Sequence, residues 1–248
     1  MKNKLKQIAY PIIALLFWIT VWQILAITLD LSFVFPKFSD TLKTFFALFV
    51  TPLFWTVIFS SLCRILLGFF IGVILGIVLA VITNHFELFR ALISPAMTVI
   101  KSTPVASFIL LLWCLIGKNS VPTVIAVLMV MPIVWQNLME GYESINHEFK
   151  ELCDVFGVSA LKRFKILTLP TLRRYLAPAI ITSSSLAWKS GIAAEIIVYA
   201  KNSIGKEITD AKNFFESEAM FAWTIAVILL SILIESIIKR MSRMVKKI

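Results

Sequence analysis

Four ionisable side chains interrupt long apolar stretches of this sequence: Arg64, Lys101, Lys189 and Glu195. A charge in such surroundings is costly to bury, and it usually faces a water-filled cavity or an opposite charge. Lys189 follows Trp188. Facing an aqueous path, it would attract an anion; the competing reading is a structural ion pair, or a lysine whose stem reaches an interface. Lys189 and Glu195 are six residues apart, so they do not share a helix face and would pair with other helices or across a dimer. Trp188, Lys189 and Glu195 are therefore the candidate pathway residues, and Arg64 reads as a structural anchor.

Other chemistries find little support. The three cysteines, Cys63, Cys114 and Cys153, form no CxxC pair and read as small buried hydrophobes. The two histidines, His85 and His147, are far apart in sequence, so no metal site is expected. Ser183-Ser184-Ser185 has no histidine close by, which argues against a membrane enzyme. Gly205-Lys206 is no phosphate loop, because Ala200 stands where the first glycine belongs and Glu207 follows. No cofactor is expected, and no catalysis by the chain itself.

The elements that must position these residues are helices in lipid. The 248 residues are 59% hydrophobic and only 15% charged, well outside the balance of soluble domains. The net charge of +10 suggests nucleic acid at first sight, but the bases flank apolar runs and form no stripe with stacking aromatics. Membrane topology accounts for them better.

Gln7–Leu29 carries no charge and is long enough to cross a bilayer. Asp30–Pro52 is amphipathic and is expected on the outer face. Further spans are expected over about Phe54–Thr83, Val99–Gly117, Asn119–Met139, Tyr175–Ala200 and Ala219–Ile238. Asn84–Arg90 reads as a turn. Gly68, Gly72 and Gly76 recur at intervals of four and put small residues on one helix face, where another helix can approach closely. Six spans put both ends on one side. The bases of 2–6, Arg90, the 140–174 loop and the tail (Lys239, Arg240, Arg243, Lys246, Lys247) mark that side as cytoplasmic. The chain divides into 1–53, the first span with its outer segment, and 54–248, a five-span core.

The 140–174 loop is too long for a simple connection. Phe149, Leu152 and Phe156 recur at helical spacing, Gly157 offers a left-handed stop, and Ser159 suits the cap of a second helix. Leu169-Pro170 is expected to end that helix. The product is a helix, a sharp turn and a helix, presenting Phe156, Val158 and Leu161. Such a knob suits either a groove on a soluble partner or the lipid headgroups.

Glu151-Leu152-Cys153, with Gly157 six residues after the glutamate and then Leu169-Pro170, resembles the cytoplasmic signature of ATP-binding-cassette (ABC) importer permeases. The two alanines usual after the glutamate are Leu152 and Cys153 here. Phe35-Pro36-Lys37-Phe38-Ser39-Asp40, Ser61-Leu62-Cys63-Arg64 through Gly68-Phe69, and Ala187-Trp188 with Ala193-Ala194-Glu195 resemble the nitrate, sulfonate, taurine and bicarbonate branch. The resemblance implies an all-α membrane protein of about six transmembrane helices, with a type I importer permease fold. It implies a permease homodimer in the bacterial inner membrane, two ATPase subunits and an extracytoplasmic solute-binding protein. The coupling residues would be Glu151, Phe156, Gly157, Val158, Leu161, Leu169 and Pro170. The competing class is a secondary carrier or channel, which predicts many titratable groups along its path and no docking loop. The solute stays open.

Overall fold

The computed structural model describes residues 2–29, 31 and 33–245, with side chains from Ala9 to Arg240. Of the charges used above to orient the chain, Lys246 and Lys247 lie outside the described residues, as does Asp30 at the head of the outer segment. Every regular element described is helical.

The chain opens with α1 (Lys2–Leu29) and the amphipathic α2 (Phe38–Phe49). Then comes α3 (Pro52–His85), where Pro52 starts the first turn and the Thr51 hydroxyl accepts the Phe54 N–H at 3.3 Å. α4 (Glu87–Ser102) and α5 (Val105–Leu115) follow, then α6 (Val121–Glu143) and α7 (His147–Val155). The short α8 (Ala160–Arg163) runs through a π-helical turn, Phe164–Thr168, into α9 (Leu169–Val198). α10 (Ile204–Asn213) and α11 (Ser217–Val245) complete the chain.

Four sequence expectations need correction. The cysteines are not buried: Cys63 and Cys114 are exposed on the outside of the bundle and Cys153 is half-buried. The Asn84–Arg90 turn is in fact a one-residue break at Phe86 between two helices. The third span is no continuous helix over 99–117. Pro104 pushes Thr103 into an extended conformation (φ −77°, ψ 133°), and α4 and α5 meet there at 106°. Nor does Leu169-Pro170 end the helix of the loop. The Leu169 N–H bonds back to the Phe164 carbonyl, five residues earlier. This widened turn relieves the clash that a proline ring makes with the carbonyl four residues before it, so the helix passes Pro170 and continues to Val198.

Among the described residues four helices are long and apolar enough to cross a bilayer: Ala9–Leu29, Pro52–His85, Val121–Glu143 and Ser217–Arg240; α4 with α5, taken as one bent span, makes a fifth. Packing reveals one more traverse. Gly68 lies against Thr123, Gly72 against Val130 and Gly76 against Val134, so α3 and α6 run parallel. The chain between them, α4–α5, must therefore return along the bundle. α9 runs the other way: Leu172 and Tyr175 meet Gly141, whereas Glu195 meets Ser61. It thus climbs the full height of the bundle, although its polar residues keep it below the apolarity of the others. The end carrying α7 and α8 is termed the elbow end, and the end carrying α10 the far end.

The main core lies between α3, α6, α9 and α11, around Ile65, Val130, Val134 and Trp188. A smaller one, around Ile109, Ile125 and Val198, joins α5, α6 and α9. A Cβ added at Gly68 would sit 2.3 Å from the Thr123 carbonyl oxygen, which belongs to backbone and cannot yield. Gly68→Ala is expected to destabilise the protein by about 1–3 kcal/mol, read as a lower thermal midpoint in detergent. Gly117→Ala, with nothing within 4 Å of the new methyl, is the control. Equal midpoints would argue against the close α3–α6 approach.

Candidate functional site

Two features stand out. The first is the elbow. Asn146 caps α7 by accepting the Glu148 N–H at 3.0 Å, and His147 lies 3.1 Å from Glu151 one turn on. The helix stops because Gly157 adopts φ +60°, a conformation that glycine takes without strain. The Val158 N–H then reaches the Cys153 carbonyl at 2.8 Å and the Gly157 N–H the Asp154 carbonyl at 3.1 Å. These two bonds satisfy the helix end as a Schellman turn. Ser159 occupies the next cap position, but its hydroxyl makes no capping bond. Arg163 pairs with Asp154 across the turn and ties α8 to α7.

The turn is built firmly, yet no described residue covers it. Neither α7, α8 nor the π-helical turn has a buried residue. Val155 is 84% exposed, Phe156 74% and Leu161 67%. Glu151 lies on the exposed face of α7, Val158 is half-buried, and Leu169 and Pro170 lie beyond the π-helical turn. An apolar tip on a rigid mount is an arrangement for contact.

The second feature is a polar centre inside the bundle near the far end. Glu195 is fully buried. Its carboxylate accepts from Arg64 Nη1 at 2.8 Å, Ser61 Oγ at 2.8 Å and the Gly205 N–H at 3.3 Å. Ser61 Oγ also accepts the Ile204 N–H at 3.0 Å. Arg64 Nη2 continues to the Lys201 carbonyl at 3.2 Å. Together these bonds hold α3, α9 and the first turn of α10 at one point. Sequence reading missed Ser61 and the α10 amides. A signal existed, since Ser61 lies three residues before Arg64 and so shares its helix face.

Trp188 is 1% exposed and donates its indole N–H to the Val227 carbonyl at 3.1 Å, locking α9 to α11. Lys189, next to it, is exposed. The structure thus brings Glu195 and Arg64 together, and sets Lys189 apart from both. Lys101 contacts Gln136 of α6. Beyond the polar centre, Tyr199, Lys206 and Asp210 hold α10 to the end of α9. Partial burial works against the Asp210 carboxylate, but the hydrogen bonds from Lys206 and Tyr199 outweigh it and hold its pKa below the usual carboxylate value. Among the described residues no group of three metal-ligating side chains gathers.

The pattern of the inner membrane components of binding-protein-dependent transport systems matches residues 72–247. This chain belongs to that family. As an inner membrane component it resembles, at 25% identity, the bicarbonate transport system permease protein of Synechococcus elongatus, over 85% of this chain and 79% of the relative. The taurine transport system permease protein of Escherichia coli is 20% identical, over 96% of this chain and 89% of its own length. Among solved structures, an amino acid ABC transporter shares the fold with a TM-score of 0.64 at 15% identity, covering 79% of this chain and 94% of the other. The all-helical type I importer permease architecture expected from the resemblance is thus the observed one.

Proposed function

We propose that this chain is the permease of an ABC importer for a small anion, driven by ATPase subunits on separate chains that grip the elbow. The observation that carries the reading is the apolar tip, Val155, Phe156 and Leu161, exposed on a capped helix–turn–helix. Contact through a soluble partner accounts for its rigidity, since a loop resting on lipid needs no Schellman turn and no Arg163–Asp154 brace. On this reading the elbow and both termini are cytoplasmic, two permease chains pair around the pathway, and a solute-binding protein docks at the far end. Relatives named for bicarbonate, aliphatic sulfonate and nitrate transport support an anion as cargo.

The direct test reconstitutes the chain with its ATPase and binding protein in vesicles. Uptake of bicarbonate, nitrate or taurine should require both partners and ATP on the elbow side. Uptake by the permease chain alone would favour a secondary carrier and overturn the assignment.

Lys189 is the cation placed to meet an anion, because it alone of the three candidate pathway residues is exposed. Trp188 and Glu195 then serve the pathway by fixing α9 rather than by lining it. Lys189→Gln should lower anion uptake on the order of tenfold, as loss of local field does, with assembly unchanged. Full uptake in that variant would remove Lys189 from the pathway.

A further inference from the structure

An open apolar groove of about 420 Å³ runs between α3, α9 and α11. Its walls are Phe69, Phe70 and Val73 of α3, Leu176 and Ile180 of α9, and Ile234 of α11. Only one of its lining residues is charged: Arg173, at the elbow end, one turn before Leu176. Ile238 closes the same end, and Lys239 and Arg240 follow it directly. The other walls come from helices that cross the bilayer, so the groove opens toward hydrocarbon.

We infer that this groove is a binding site for one anionic phospholipid, with an acyl chain along the apolar walls and the phosphate on Arg173. Three features argue for that occupant. From Arg173 to Ile180 the groove follows α9 for about 10 Å at ~1.5 Å per residue, some two-thirds of the roughly 15 Å hydrocarbon depth of one leaflet. A guanidinium matches a phosphate by paired hydrogen bonds, and Arg173 makes no ion pair among the described residues. A free anion would find no second polar partner on these walls. A helix from a second copy is the remaining occupant, and α1 is apolar enough to be that helix.

The test uses the full chain in nanodiscs of equal phosphatidylglycerol and phosphatidylethanolamine, with retained lipid counted by native mass spectrometry. Wild-type protein should keep one phosphatidylglycerol per chain in preference to phosphatidylethanolamine. Arg173→Gln should lower that preference about fivefold, the effect of one cation at an anionic surface. Ala177 of α9 also lines the groove, and Ala177→Trp, which fills it, should release the lipid whatever its headgroup. Equal retention of both lipids by the wild-type protein would overturn the site, and that measurement needs no variant to fold. An unchanged lipid count in Ala177→Trp would also overturn it. So would a disulfide between Ile180→Cys and a cysteine placed in α1 of a second chain.

Discussion

Phe156→Asp is expected to bring ATP-driven uptake to background while leaving the helix bundle intact. The two halves of this expectation rest on different observations. Phe156 is 74% exposed and follows the last residue of α7, which has no buried side chain, so the substitution removes no packing within the chain. A carboxylate at the tip must instead be desolvated on entering any apolar socket, without a partner to pair with it. An aromatic anchor of this kind is typically worth 2 kcal/mol or more, so docking should weaken by about thirtyfold or beyond. Gly157→Val tests the mount rather than the tip. A β-branched residue at φ +60° costs about 1–2 kcal/mol, and the turn would relax by re-aiming Phe156. Both variants should lose co-purifying ATPase, Phe156→Asp at the wild-type thermal midpoint in detergent and Gly157→Val at one lowered by a few degrees. Retained ATPase and full uptake in Phe156→Asp would show that the elbow is no lever.

This elbow was the most legible part of the protein, because its geometry is local. Helical spacing of Phe149, Leu152 and Phe156, followed by a glycine, states a helix and its stop within nine residues. Pro170 was misread for a related reason. The rule that proline ends a helix is local too, but a π-helical turn begun six residues earlier, at Phe164, cancels it. The break at Thr103-Pro104 shows the rule holding where no such turn intervenes. α10 went unseen because four charges in ten residues read as a polar connection and hid the apolar period of Ile204, Ile208 and Ala211; its start depends on the Ser203 hydroxyl accepting the Lys206 N–H at 3.0 Å. The traverse of α9 was legible despite Lys189 and Glu195, while the partners of those charges were not. Glu195 and Arg64 are 131 residues apart, and no pattern within either segment encodes that pairing.

That pairing supplies the largest stability effect. Arg64→Met should destabilise the protein by about 3–5 kcal/mol, because it strands the Glu195 carboxylate among apolar groups with only Ser61 and the Gly205 N–H to satisfy it. Glu195→Gln should cost less. The amide oxygen still accepts from Ser61 and Gly205, and Arg64, with its side chain 15% exposed, keeps the Lys201 carbonyl and a route to water. Arg64→Met with Glu195→Leu should recover much of the loss, since no uncompensated charge remains. Equilibrium unfolding in mixed micelles of the wild type, both Arg64→Met and Glu195→Leu single variants and the double variant gives the coupling. Amide exchange at Ile204 and Gly205 separates a local anchor from general softening. Exchange should rise at these two positions first in Glu195→Leu, because Gly205 loses its acceptor there and Ile204 follows through Ser61. Additive single-variant losses with unchanged exchange at α10 would mean that the buried ion pair does not hold the far-end helix.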